Sequence, residues 1–154
     1  MNVPRLTLFV CLALTVASAA DEQEKKIQRS ELPPAVESTV AAHSQGATIK
    51  GFSQEKENGQ TFYEAELMVN GLSKDLLIDA QGTIVEIEEQ VSLESLPAAV
   101  KDGLKAKAGK GKIVKVESLT KQNKVVAYEA KVQTGGKRAE IQVGPDGKPL
   151  DHEE

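Results

Sequence analysis

Hydrophobic positions along the chain change their period in the same order twice. Leu32, Val36 and Val40, and later Leu96, Val100 and Leu104, recur every four residues, a spacing that gathers them into one stripe along a helix. Ser30-Glu31 and Glu94-Ser95 stand before Leu32-Pro33 and Leu96-Pro97. A serine can cap free amide groups there, and a proline in the first turn loses no hydrogen bond. Gly46 and Gly109 follow the two runs, where a left-handed helix terminus favours glycine. Beyond each helix the period falls to two. Tyr63, Ala65, Leu67 and Val69 alternate with Phe62, Glu64, Glu66 and Met68, and Val126, Tyr128, Ala130 and Val132 alternate with Glu129, Lys131 and Gln133. That alternation predicts half-buried strands. Asn58-Gly59, Asn70-Gly71, Gln81-Gly82, Gly135-Gly136 and Asp146-Gly147 supply turn chemistry between them, and such short loops join antiparallel neighbours.

The two halves also match residue by residue. Leu32-Pro33-Pro34-Ala35-Val36 is echoed by Leu96-Pro97-Ala98-Ala99-Val100, Lys50 by Lys115, and Tyr63-Glu64-Ala65 by Tyr128-Glu129-Ala130. Gly71 and Gly82 fall on Gly136 and Gly147. The offset is 64 residues at the helix start and 65 beyond it, and self-similarity of this kind reads as duplication. The predicted architecture is therefore α+β: two tandem repeats, residues 31–90 and 91–154, each one helix packed on a four-stranded antiparallel sheet.

The first twenty residues follow different rules. Arg5 precedes an apolar run from Leu6 to Val16, then come the small residues Ala17-Ser18-Ala19-Ala20 and at once the charged Asp21-Glu22-Gln23-Glu24. This is the layout of a cleaved secretory signal, and the run is shorter than the roughly 20 residues a membrane anchor needs. Residues 1–20 are read as a signal peptide and 21–30 as a flexible, solvated leader, which predicts a periplasmic or extracellular protein. The one cysteine, Cys11, lies inside the signal, so the mature chain relies on neither disulfides nor thiolate metal sites. A net charge of −4 with both signs interspersed argues against nucleic acid, which demands clustered cations. No second long apolar run predicts a membrane span after cleavage.

Catalytic chemistry has no visible foothold. The histidines His43 and His152 sit at a helix end and in an acidic tail, away from any nucleophile–base pattern, and zinc spacings and glycine-rich dinucleotide loops are missing. The chain is expected to be no enzyme, with no catalytic, cofactor-binding or metal-ligating residue. Glu86, Glu88, Glu89 and the tail read as a solvated charge run. Tyr63 and Tyr128 alternate with core alanines and are expected to pack inside. Phe62, Glu64, Glu66 and Met68 share the opposite strand face and are the candidate partner-binding residues, since buried aromatic anchors dominate interface energetics. Cover by a neighbouring helix or loop accounts for Phe62 equally well.

The opening Leu-Pro-x-Ala-Val of each helix, the Tyr-Glu-Ala strand and the glycine turn before the last strand resemble the PepSY-like domains of the beta-lactamase-inhibitory-protein-like (BLIP-like) group. The resemblance spans both repeats. It implies an exported helix-on-sheet module of bacterial envelopes, with an inhibitory role toward peptidases among related domains. The lactamase inhibitor works through an aromatic-rich sheet face, whereas this chain has no tryptophan and 3% aromatic residues, so no inhibitory residue carries over. Two expectations follow. The first is an exported, non-catalytic protein-binding module whose partner is an envelope or secreted protein such as a peptidase. The second is a periplasmic protein binding a small molecule or a divalent cation.

Overall fold

The computed structural model describes residues 24–57, 59–150 and 154. The signal reading of residues 1–20 and the placement of His152 fall outside the described residues. Among the described residues eight strands and two α-helices follow one another as β1 (Lys25–Ile27), α1 (Pro34–His43), β2 (Thr48–Glu57), β3 (Gln60–Val69), β4 (Leu72–Asp79), β5 (Ile84–Gln90), α2 (Ala98–Ala108), β6 (Lys112–Lys121), β7 (Lys124–Thr134) and β8 (Lys137–Val143). All eight strands join in one antiparallel sheet whose spatial order is the chain order.

This corrects the predicted fold class. The molecule is mostly β, and no pair of separate four-stranded sheets exists; five strands precede α2, three follow it, and β5 bonds on both sides. On one side β5 pairs with β4 from Lys74↔Glu89 to Ile78↔Ile84. On the other it pairs with β6 from Ile87↔Thr120 to Gln90↔Glu117, and the ladder continues into Val91 N–H donating to the Val116 carbonyl at 2.9 Å. A sheet that ended at β5 would leave a row of amides and carbonyls unpaired along that strand, and β6 satisfies them. Residues Lys25–Ile27, read from sequence as part of a solvated leader, instead form the edge strand β1 against Gln54–Phe52. Ile27 is the reason: its side chain is buried in the core beside Phe52.

Both helices lie on the same side of the sheet. Leu32, Val36 and Val40 meet Phe52, Ala65, Leu67, Leu76 and Ile78 in one cluster. Leu96, Val100 and Leu104 meet Val116, Ala130, Val132 and Val143 in a second. Tyr63 and Tyr128 pack against these clusters as the alternation predicts. Each fully buried valine or leucine contributes about 1.5–3 kcal/mol relative to exposure, so the two stripes fix which face of the sheet is covered. The expected serine caps do not form. Pro33 and Pro97 hold the N-cap positions without a side-chain hydrogen bond, and Ser30 and Ser95 lie upstream in short 3₁₀ turns.

The helices are held down by glycine turns. The Gly82 carbonyl accepts a 2.6 Å hydrogen bond from Thr39 Oγ1 of α1. Farther along, a Cβ placed on Gly103 of α2 would stand 2.0 Å from the Gly147 carbonyl oxygen. At an open helix position Gly→Ala stabilises by about 1 kcal/mol. At Gly103 the sign reverses: Gly103→Ala is expected to destabilise by about 1–3 kcal/mol through overpacking against backbone, read as a lower urea midpoint with an unchanged m-value. A midpoint at or above wild type would refute the close packing of α2 on the turn after β8.

Candidate functional site on the acidic face of the sheet

Because side chains alternate across a strand, burying Ala65, Leu67, Leu76 and Ile78 under α1 turns Phe62, Glu64, Glu66 and Met68 to the opposite face. The four candidate partner-binding residues thus lie together, on the side no helix covers. Phe62 is half-buried between Glu55 of β2 and Asp79 of β4 in the ladder, so its partial cover comes from neighbouring strands. The structure adds residues from every later strand to this face: Asp75 and Leu77 of β4, Glu86 and Glu88 of β5, Glu117 and Leu119 of β6, Glu129 and Lys131 of β7, and Glu140 and Gln142 of β8.

The face is concave. Leu119, directly opposite Glu88 and Ala127, is only 1% exposed although it points away from both helices. A groove of about 1000 Å³ takes walls from strands as distant as β2 and β8, through Glu55 and Glu140, with Phe62, Leu77 and Val85 at its apolar end and Lys121 beside Glu86. Continuous right-handed twist curls a sheet this wide, so side chains near its middle lose solvent, and Glu154 adds cover at the β6–β8 end, where its N–H donates to Gln142 Oε1 at 2.9 Å and its carboxylate lies 3.2 Å from Lys121.

That loss of solvent reshapes the carboxylates. Glu86 and Glu88, expected in a solvated charge run, are buried and half-buried respectively, whereas Glu89 on the helix face is exposed. Glu86 is paired with Lys121 at 3.1 Å. Among the described residues Glu88 has no such counter-ion, and desolvation, followed by the charges of Glu117, Glu129, Glu86 and Asp75, pushes its carboxyl up to about 8. Asp75, directly opposite Glu88 in the ladder, is pushed up to about 6, again first by desolvation and then by Glu64 and Glu117. Burial also raises Glu129, against the opposing effect of the Gln142 amide that donates to it at 3.1 Å.

Glu117 sits at the centre. It is 1% exposed, and its Oε1 accepts from Ser73 Oγ at 3.2 Å and lies 2.5 Å from Lys115 Nζ. Its Oε2 is buried with no hydrogen-bond partner among the described residues; Lys131 Nζ forms an ion pair with it at 3.7 Å, beyond hydrogen-bonding range, and is itself 3.2 Å from Glu140. At the rim, Glu66 pairs with Lys26 and Glu64 accepts from the buried Ser53 hydroxyl at 2.7 Å. One carboxylate oxygen from each of Asp75, Glu88 and Glu117 lies within 4.8 Å of the others. Oxygen-only donors in that arrangement suit a hard cation, or a basic side chain brought by a partner.

The sequence placed Phe62, Glu64, Glu66 and Met68 on the open face but missed Asp75, Glu88, Glu117 and Glu129. The parity of Glu86 and Glu88 was available as a signal; which residues of β4, β6 and β7 stand beside them depends on register. His43 ends α1 on the surface, in keeping with an exposed histidine.

No family model matches the chain, and no curated protein does. Solved structures do share the fold. A candidate periplasmic protein from Bacteroides eggerthii superposes with a TM-score of 0.62 at 18% identity, over 77% of this chain and 85% of that one. A DUF2874 family protein from Bacteroides ovatus gives 0.59 at 19% identity over 77% and 84%. A BLIP-like protein from Bacteroides fragilis gives 0.53 at 22% identity over 75% and 81%. The chain thus has the fold of BLIP-like and DUF2874 proteins.

The raised carboxyls set a pH dependence. An acid whose folded value exceeds its unfolded one binds more protons when folded, so stability is complete below the unfolded value and lost as pH rises through the folded value. For Glu88 that window runs from 4.5 to about 8, and for Asp75 from 3.8 to about 6. Unfolding free energy measured in urea is expected to fall across these windows, and Glu88→Gln is expected to flatten the decline on the alkaline side. An undiminished slope in that variant would remove Glu88 as its source.

Proposed function

We propose that this chain is an exported, non-catalytic protein-binding module that docks an envelope or secreted protein against the concave acidic face of its sheet. The observation that carries the reading is the asymmetry of the sheet: α1 and α2 both cover one face, and the other holds a groove with Phe62, Leu77 and Val85 inside a rim of carboxylates. The partner surface that fits is a segment with one apolar side chain for the Phe62 end and lysine or arginine for the acids, since charged rims steer association and apolar anchors hold it. The PepSY-like and BLIP-like resemblance supports an envelope enzyme, a peptidase in particular, as that partner, and restraint of its activity as the outcome. Export to the periplasm is supported by the signal-like residues 1–20 and by the candidate periplasmic protein of the same fold.

Site-specific photo-crosslinking in the native envelope tests this. A crosslinker at Leu77 is expected to trap one protein, while a crosslinker at Ala106 on the exposed side of α2 traps none. Phe62→Ala should weaken the recovered complex by about tenfold or more, the size expected of an aromatic anchor. Adducts confined to the helix side, or none from Leu77, would end the reading.

A further inference from the structure

We propose that the free edge of β8 pairs with the same edge of a second copy of this chain, making a two-fold symmetric dimer in which Arg138 of each copy stands against Glu140 of the other. The sheet has two edges, and they differ. β1 is three residues long and carries Lys25 and Lys26, the short, cationic form that discourages strand addition. β8 runs for seven residues, Lys137–Val143, in unbroken register with β7. Its first four residues are exposed, and among the described residues no strand lies beyond them. Lys148 and Glu154 are hydrogen-bonded to Gly144 and Gln142, toward the opposite end of β8.

Hairpin geometry fixes which groups this edge offers. Gly135 and Gly136, with φ of 53° and 83°, form a two-residue turn, and in such a hairpin the flanking pair, here Thr134 and Lys137, bond to each other through the backbone. Backbone direction alternates along a strand. The odd-numbered residues of β8 therefore turn their N–H and C=O groups to β7, and Arg138, Glu140 and Gln142 turn theirs outward. The Gln142 carbonyl accepts from Lys107 Nζ at 3.0 Å, a side-chain partner of the kind an outward group requires. Arg138 and Glu140 have no backbone partner on that side among the described residues.

Charge then selects the register. Two antiparallel copies exchange backbone bonds only where outward residues oppose outward residues. With Arg138 or Glu140 on the two-fold axis, that residue meets its own copy, a like-charge pair that destabilises. With Ile141 on the axis, the Gln142 carbonyl already held by Lys107 is drawn in. With Ala139 on the axis, Arg138 opposes Glu140 twice, on the open face of the sheet. Arg138 makes no ion pair among the described residues. Glu140 keeps Lys131 at 3.2 Å and is still 58% exposed, so it has room for a second cation. Because only one edge is open, the pairing closes at two copies and does not grow into a fibre. The axis stands perpendicular to the sheet, so both concave faces open to the same side. The pairing does not rest on the docking reading, but it sets two grooves side by side.

Sedimentation equilibrium of the purified chain, with no partner present and at about 10 µM to about 1 mM protein, tests the pairing. An edge of this length buries less than a standard interface, so a weak dimer is expected. The weight-average mass should rise from one chain toward two across that range, and the Arg138 and Glu140 amides should gain protection from hydrogen exchange. Arg138→Glu should weaken association by about tenfold or more. Adding Glu140→Arg to it restores opposite charges and should bring association back to within about threefold of wild type. Should the double variant fail to fold, Glu140→Pro, which removes one outward N–H, serves in its place and is expected to abolish association. A chain that stays monomeric at the highest concentration overturns the proposal, whether its edge amides exchange freely or are covered by its own tail. So does a dimer indifferent to Arg138→Glu. The docking reading is tested by crosslinks to Leu77 and stands or falls separately.

Discussion

The ladder between β5 and β6 is the constraint on which the rest of the molecule depends. Four residue pairs, from Ile87↔Thr120 to Gln90↔Glu117, join strands separated in sequence by α2. They convert what would be two small sheets with open edges into one surface. Because the pairing also fixes register, it decides that Glu88 stands opposite Leu119 and that Gln90 stands opposite Glu117. A slip of one residue would send those side chains among the apolar residues under the helices.

From that continuity follow both the curvature and the electrostatics. A sheet eight strands wide accumulates twist, and its uncovered face becomes hollow enough to bury Leu119 and to desolvate Glu88 and Asp75. The two carboxyls rise for the same reason: burial penalises their charged form, and neighbouring carboxylates add to the penalty. A flat sheet bearing the same residues would leave them in water with ordinary behaviour. The helices contribute indirectly, since Val36, Val40, Val100 and Leu104 fix which face is apolar and so which is left to the acids.

Much of the local structure was legible. The four-residue spacing of Leu32, Val36 and Val40 and of Leu96, Val100 and Leu104 located both helices and their buried stripes. The glycines at 71 and 82 marked turns that adopt positive φ. The hairpin between β6 and β7 was not marked, because Gln122 and Asn123 adopt positive φ without a glycine. Strand β1 was invisible for another reason: three residues, two of them lysines, carry no periodic signal, and only the burial of Ile27 against Phe52 makes them a strand.

Both helices with their apolar stripes, the alternation of β3 and β7, and the placement of Phe62, Glu64, Glu66 and Met68 on the face opposite the core were settled by sequence, because these depend on the helical and strand periods within a few residues. Tertiary structure alone decided that the strands form one sheet and that Asp75, Glu88 and Glu117 converge. Those outcomes rest on pairing between segments far apart in the chain. No local pattern encodes register across α2, and the desolvation of a carboxylate depends on everything that curves around it.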